Sequence, residues 1–420
     1  NEAIDYLNLH NIKSIIIDHH EINKPYPKSN AIINPKKESK NNEASLLCAT
    51  ALTYLFIDVL IKKTFSDFKL SKFLIYVLLA TICDVMPLRK INKIIARNAI
   101  DYFRLKDNIA ISFIFNQYRL KKIVTVDDLG FLIGPIINAG GRLNCSHYGV
   151  DLLSSDDKEI VEDRSIRLIK LNDKRKKIEQ NILKEIDFKK INNENQNVII
   201  YYKNNINEGL IGIIAARLKD YFNKPSIVIT TSNQSLKASA RSTPNYNIGN
   251  LIKSLIDNNI IDNGGGHNMA AGFTMKKNNI KLLNNFVQKD FLKKNSNKVN
   301  SNKYDLEVSS SAIKNKFITD INKLGPFGNL NFLPIFLIKN LKVIKFNIIS
   351  NKHISVILKP DTGISIKAIC FNCIHTKIGH YLLSYKKKIN IIAQINENIW
   401  NNKKTIQLNI KDLILQFNKP

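Results

Sequence analysis

Apolar and polar positions fall into blocks whose period changes along the chain. From residue 1 to about 90 they read as an amphipathic helix near Glu2–Leu9, a β-branched strand at Ile15–Ile17, and apolar helical runs at Ala44–Ile61 and Lys72–Thr81. That order predicts an α/β layer on a mainly parallel sheet, where ligands sit outside the carboxyl ends of strands. Residues 91–196 read as mostly helical and end in the charged stretch Asp156–Lys190. Ile160, Ile166, Ile169, Ile178 and Ile182 recur there at near-helical spacing and predict one long connecting helix. A second α/β unit is expected over 197–292. It has strands at Val198–Tyr202 and Ser226–Thr230, a helix at Gly212–Tyr221, and then two loops marked by Ser and Gly. After a polar linker, Lys293–Asn302, the remainder (303–415) alternates short apolar runs with Asn, Gly and Lys turns. The runs are Val343–Ile349, Ile354–Leu358, Ile364–Phe371, Ile389–Ile395 and Thr405–Ile410, and five such strands predict a small closed β-barrel.

Composition adjusts this picture in three ways. A length of 420 residues with 44% apolar content supports two to four domains, each with a real core. The formal charge of +28 points to polyanionic partners, although the sequence is crowded with Lys, Asn and Ile, which dilutes the meaning of any one lysine. Arginine is scarcer and absent after Arg241, so single arginines carry more information. Five irregularly spaced cysteines make no disulfide framework and favour a reducing compartment, and Cys370-Phe-Asn-Cys373 lacks the second pair a zinc site needs. The opening shows no secretory signal, and the longest apolar run, Phe73–Cys83, is too short to cross a bilayer. A cytoplasmic protein with no membrane partner is expected. Because residue 1 is Asn and the first helix runs straight into a strand, the chain is also expected to begin in the middle of a fold.

The chemistry concentrates where apolar runs stop at groups that are expensive to bury. The Ile15–Ile17 strand ends in Asp18-His19-His20, a mixture of hard oxygen and neutral nitrogen donors that suits Mn2+ or Mg2+ with further carboxylates and Zn2+ with more nitrogen. Side chains alternate along a strand, so one histidine is expected on an ion and the other beside it. Read alone, Asp-His-His is equally the surface end of a strand. The run Ala80–Leu88 places Asp84 after an apolar segment and before the turn at Pro87, as a second metal carboxylate or as a capping aspartate. Arg142 follows a Gly-Gly pair that would let backbone approach a phosphate, and a guanidinium is a bidentate phosphate clamp, though an ordinary loop arginine reads the same way.

Six strings occur in one order: IIIDHHE, ATICDVMPL, LGFLIGPIINAGGRLN, EGLIGIIAARL, KASARSTP and GGGHNMAAGF. In order and spacing they resemble the RecJ family of single-strand-specific 5′→3′ DNA exonucleases, members of the DHH phosphoesterase superfamily. LGPFGNLN and IQLNIKDL resemble that family's OB domain. The resemblance covers nearly the whole chain. It implies an α/β fold made of a partial DHH domain (1–90), a helical region with its connecting helix (91–196), a DHHA1 domain (197–292) and a C-terminal OB-fold barrel (303–415). It implies an enzyme of DNA recombination and repair that hydrolyses phosphodiesters with two Mn2+ or Mg2+ ions roughly 4 Å apart. His19 and Asp84 would be direct ligands, Asp18 would orient or help ligate, and His20 would contact the scissile phosphate. Ser239 and Arg241 would help hold the terminal 5′ phosphate, and Arg142 would be a further strand-handling group. Gly264, Gly265 and Gly266 would line a phosphate nest, and His267 would reach the scissile group. Single-stranded DNA is the implied partner, with a helicase and a single-strand-binding protein as candidate further partners and a monomer as the oligomeric state. Lys-rich strands and aromatics such as Phe346, Phe371 and Trp400 would suit the barrel to a single strand.

Two departures qualify the resemblance. The family carries an Asp-x-Asp motif and a further metal-bridging Asp upstream of Asp-His-His, and neither is present. The chain is therefore expected to be a fragment with about half a metal site, binding Mn2+ weakly and not turning over. At Ile206-Asn207 the family usually has Trp-His, and Asn207 cannot act as an acid. Two other functions remain open on the sequence. One is a DHH oligoribonuclease or small-nucleotide phosphatase, against which residues 303–415 argue; the other is a noncatalytic single-strand-binding protein.

Overall fold

The computed structural model describes residues 1–22, 24–37, 42–64, 67–120, 122–232, 235–295, 304–361, 363–374, 376–384, 388–400 and 403–415. They divide into two compact units, one formed by residues 1–104, 124–130 and 300–420 and the other by 105–123 and 131–299. Most of the stretch expected as a linker, Lys293–Asn302, lies outside the described residues.

In the first unit the helix Glu2–Leu9 leads into strand β1 (Ile15–Ile17), which pairs in parallel with β2 (Ala31–Ile33), Ile16 opposite Ile32. Beside this pair stand the helices Ala49–Thr64, Leu74–Cys83 and Lys90–Tyr102. Leu74–Cys83 is apolar on every side, and a helix with no polar face has to be buried. It buries Ile75, Val77, Leu78, Leu79 and Thr81. Val77 joins Leu47, Cys48, Ala51 and Leu52 in one cluster, against which Ile17 packs. The end of β1 and the end of this helix are thereby fixed on one core.

In the second unit the connecting helix runs from Lys158 to Glu185, 28 residues capped by Asp157, whose carboxylate accepts from the Glu159 and Ile160 amides. Of the isoleucines whose spacing predicts this helix, Ile182 is buried while Ile160 and Ile166 are exposed. The buried residues are Val161, Ser165, Leu168, Asn172, Glu179 and Ile182, a stripe at spacings of three, four and seven with polar groups in its middle. Glu179, 6% exposed, is held there by Arg175 at 3.1 Å and by Arg217 of the helix Glu208–Phe222 at 2.6 Å. The unit's sheet comprises β3 (Ile199–Tyr202), β4 (Ser226–Ser232), β5 (Ser235–Arg241), β6 (Asn263–Gly266) and β7 (Ala270–Met275), in the order β3-β4-β5-β7-β6. The helix Glu208–Phe222 crosses from β3 to its parallel neighbour β4, and the remaining pairs are antiparallel. β4 is buried on both faces. Ile227 and Ile229 belong to the core around the helix Ile248–Asp257, and Val228 to the core around Glu208–Phe222, as a period of two demands. The two segments expected as loops, around Ser239 and Gly265, are therefore strands β5 and β6. Their small residues fit a sheet that a helix approaches closely.

The C-terminal part of the first unit contains β8 (Leu306–Glu307), β9 (Ile335–Ile349), β10 (His353–Pro360), β11 (Ile366–Cys370), β12 (Ile389–Trp400) and β13 (Lys403–Leu415). All five expected strands are present, but the sheet is not the simple closed five-stranded barrel read from the sequence. It is a curled six-stranded sheet in the order β10-β11-β13-β12-β9-β8, and the long strand β9 divides its length between β12 (residues 335–341) and β10 (341–349). Cys370 and Cys373 are both free and buried in this core, and Cys373 Sγ donates to the Cys370 carbonyl at 3.2 Å. No helix among the described residues is long and apolar enough to cross a membrane.

Candidate metal corner and anion cavity

At the first candidate site β1 stops at Ile17, and Asp18, His19 and His20 lie just beyond it. Strand alternation no longer applies there. The two imidazoles stack on the same side with centroids 4.3 Å apart and planes at 28°, which corrects the expectation that they would diverge. His19 Nδ1 accepts the amide of Ala49, at the start of the helix Ala49–Thr64, at 3.1 Å. In the neutral ring this leaves the proton on Nε2, which points it at Asp84 Oδ2, 2.9 Å away. Asp84 caps the carboxyl end of Leu74–Cys83, where the helix dipole already carries negative charge and favours a cation nearby. His20 Nδ1–H donates to Asp18 Oδ1 at 2.7 Å, and the buried Asn34 amide anchors the His20 carbonyl at 3.0 Å.

Electrostatics acts on His19 and Asp18 in different ways. Partial burial holds the His19 imidazolium below its ordinary range and outweighs the opposing pull of Asp84. For Asp18 burial works against ionisation, yet the hydrogen bond from His20 and backbone bonds at His19 and His20 prevail and keep its carboxyl low. The corner therefore presents neutral nitrogen beside carboxylate at ordinary pH. An octahedral ion with donors at about 2.1 Å places adjacent donors about 3.0 Å apart. The His19–Asp84 spacing of 2.9 Å meets that requirement, and Asp18, His19 and His20 each offer an atom within 4.8 Å of the others. The donor set fits a hard divalent ion.

The second candidate site is a cavity of about 670 Å³ in the other unit. Arg142, Ser239, Arg241, Gly264 and Gly265 line it, as do Glu208, Gly209, Gly212 and Lys237. Ser239 and Arg241 stand two apart on β5 and so share a face, and Arg241 Nη1 donates to Ser239 Oγ at 3.1 Å and to the Ala240 carbonyl at 2.8 Å. Arg142 ends the helix Gly134–Arg142, and its Nη1 donates to the Gly209 carbonyl at 2.9 Å. Among the described residues neither guanidinium has a carboxylate within ion-pairing distance. Burial pushes both below the ordinary arginine range, helped by Arg175 at Arg142 and by Arg142 at Arg241. Two half-buried like charges sharing one cavity call for an anion. The helix Glu208–Phe222 presents its amino end to the same space, which adds a partial positive charge.

Glycines open this cavity. A Cβ on Gly212 would meet Arg241 Nη2 at 2.8 Å and Ser239 Oγ at 3.1 Å, and one on Gly209 would run into the Arg142 backbone. Neither glycine was singled out as a site residue in the sequence, although their spacing of three in Glu-Gly-Leu-Ile-Gly places both on one helical face. Gly140, by contrast, serves packing, since a Cβ there would strike the Cys145 carbonyl at 2.6 Å and Leu168 at 3.1 Å.

The Gly264–Gly266 segment is not the nest expected of it. It is an extended edge strand paired with β7, Gly265 opposite Gly272, so its amides do not converge as a turn's would. Gly264 and Gly265 reach the cavity; Gly266 and His267 are not among its lining residues. His267 is exposed on the turn after β6, its amide donating to the Ala270 carbonyl at 2.8 Å. Asn207 is the cap of the helix Glu208–Phe222, its side chain accepting from the Gly209 amide at 2.8 Å.

Residues 195–293 match the DHHA1 domain and residues 304–412 the RecJ OB domain. The single-stranded-DNA-specific exonuclease RecJ of Bacillus subtilis is 26% identical over 415 residues, covering 95% of this chain and 50% of that protein. The Haemophilus influenzae protein of the same name is 25% identical over 421 residues, covering 93% and 72%. The chain thus spans about half the length of the Bacillus relative. Among solved structures, RecJ from Thermus thermophilus in complex with Mn2+ superposes with a TM-score of 0.83 at 17% identity, over 99% of this chain and 60% of that one. The Mg2+ complex gives 0.76 at 18% identity, over 97% and 60%. The chain is a homologue of the RecJ exonucleases, with a DHHA1 domain followed by a RecJ OB domain.

Proposed function

We propose that the protein is a divalent-metal-dependent exonuclease that hydrolyses single-stranded DNA from its 5′ end, in recombination and repair. The observation that carries this reading is the meeting of His19 Nε2 and Asp84 Oδ2 at 2.9 Å, from elements 65 residues apart in the chain, at the spacing of neighbouring ligands on one ion. The Thermus relative's complexes with Mn2+ and Mg2+ support the choice of ion. In this proposal His19 and Asp84 supply ligands of a two-ion centre, and Asp18, within reach of His19, orients the site or helps ligate.

Bound there, divalent ions would acidify a water and offset charge on a phosphodiester in its transition state. The chain's own residues do the rest. Asp18 fixes the His20 ring through Nδ1–H, and when the ring carries a second proton its exposed Nε2–H can donate to a phosphate oxygen. Ala49 holds the His19 ring in place. In the cavity, Arg142 and Arg241 bind a terminal phosphate by charge-assisted hydrogen bonds, and Ser239 Oγ adds a further donor or acceptor. We assign His267 no role at that phosphate.

The test is Asp84→Ala in the full-length protein. Nucleotide release from 5′-phosphorylated single strands falls to background while the strand is still bound. Release at the wild-type rate would remove Asp84 from the site, and salt-dependent binding without hydrolysis in the wild type would make the protein a strand binder only.

A further inference from the structure

The turn immediately after Asp84 is built from an awkward residue. Val85 takes φ +55°, a left-handed conformation that a β-branched side chain resists. Local bonds close the turn from one side, Val85 N–H to the Ile82 carbonyl at 3.1 Å and Met86 N–H to the Thr81 carbonyl at 3.0 Å. The other side is closed from about 240 residues away by the loop Leu324–Asn331, the LGPFGNLN string. The Asn329 side-chain amide donates to the Val85 carbonyl at 2.6 Å, and the Asn329 carbonyl accepts the Leu88 amide at 2.7 Å. One residue therefore brackets Val85–Leu88 at both ends.

The loop has other holds on the same segment. Arg89 Nε donates to the Leu330 carbonyl, and Arg97 Nη2 donates to the carbonyls of Lys323 at 3.0 Å and Gly325 at 2.8 Å. Leu88 is fully buried, and Gly328 lies so close that a Cβ there would meet Leu88 Cδ2 at 3.0 Å. Within the loop, the Asn331 amide donates to the Pro326 carbonyl at 2.8 Å and braces it. These bonds all lie inside one compact unit.

We propose that Asn329 is a positioning residue for Asp84, so that the C-terminal module holds the left-handed turn that aims this carboxylate at His19. The proposal rests on the reading of Asp84 as a metal ligand. Without the bond from Asn329, Val85 relaxes out of its left-handed conformation, the last turn of Leu74–Cys83 frays, and the Asp84 carboxylate loses its fixed distance to His19.

The experiment is a Mn2+ titration of the full-length protein, with free ion read by electron paramagnetic resonance and folding followed by thermal unfolding. Asn329→Ala weakens Mn2+ binding by about tenfold, the scale seen when groups that orient a ligand are removed, and exonuclease activity returns at high Mn2+. Adding Val85→Gly to that variant restores most of the affinity, because glycine takes the left-handed turn without strain. Should Asn329→Ala unfold, Asn329→Asp replaces it, keeping the Leu88 bond and the side-chain shape while removing the donor to Val85. Asp84→Ala is titrated alongside. If Asp84→Ala loses Mn2+ and the Asn329 variants do not, the positioning role is overturned and the metal reading stands. If Asp84→Ala binds Mn2+ as the wild type does, the metal reading itself is overturned. Loss of affinity that Val85→Gly does not repair also overturns the proposal, because it marks Asn329 as a general support.

Discussion

In the cavity of the DHHA1-containing unit two like charges are kept together by backbone carbonyls and glycine-sized space, whereas at the corner after β1 unlike groups hold one another. Arg142 and Arg241 form no ion pair among the described residues, and only the more distant Glu179 offsets charge at Arg142, so their arrangement is supplied by the fold. His19 and Asp84 contact each other directly, with Asp84 half-exposed, and the turn that carries Asp84 depends on a distant loop. The contrast separates two ways of preparing a site. One holds like charges together in a sheet and helix; the other satisfies its groups mutually, and in the proposed function an ion would displace the proton between them.

Each expected result either breaks or sharpens that contrast. The largest effect belongs to the corner, where Asp84→Ala takes nucleotide release to background with strand binding retained. Next comes Arg241→Ala, which removes charge-assisted bonds worth about 2 kcal/mol and lowers the preference for 5′-phosphorylated over 5′-hydroxyl strands by about 30-fold. Steady-state assays on both oligonucleotides check this, and an unchanged ratio would place the phosphate elsewhere. Gly212→Ala is expected to act more weakly. The added methyl meets the mobile end of Arg241, so phosphate preference falls several-fold while thermal stability holds. Gly209→Ala, pressing on backbone, lowers stability as well.

The smallest effect is one of pH. Burial keeps the folded His19 below its ordinary value of 6.5, so the unfolded chain takes up that proton first. The contribution of His19 to stability is complete above pH 6.5 and drains away as pH falls through that value toward the folded one. The hydrogen bond from Lys237, with Ser232, keeps the carboxyl of Glu208 in the cavity below its ordinary value of 4.5, so its contribution persists until pH falls below that range. Thermal unfolding at about pH 7.5 and about pH 5.5, on either side of the ordinary histidine range, should therefore differ less for His19→Asn than for the wild type. Equal pH sensitivity in both would sink this assignment.

What the sequence disclosed follows from how local each determinant is. Asp18, His19 and Asp84 were legible because apolar runs stop abruptly at them, and the five long C-terminal strands because β-branched alternation survives between turns. The stacking of His19 on His20 was not legible. It depends on β1 ending at Ile17, one residue before the motif, and no periodicity marks that boundary. The connecting helix was visible, but its buried stripe was not. Asn172 and Glu179 lie on it as partners of Arg175 and Arg217, and a hydrophobicity pattern registers them as surface. Gly264–Gly266 looked like a loop because three glycines carry no strand signal, and only its pairing with β7 makes it an edge. The Asn329 bond spans 244 residues, a separation at which sequence pattern carries no information.

Gly209 and Gly212 bound their cavity with hydrogen atoms, and that inverts a routine procedure. Alanine scanning normally subtracts material and asks what was lost. At Gly212 it inserts a plug against Arg241 and Ser239, and at Gly209 it pushes on the Arg142 backbone, so a scan that includes these glycines would report obstruction or displacement where the rest of the survey reports deletion.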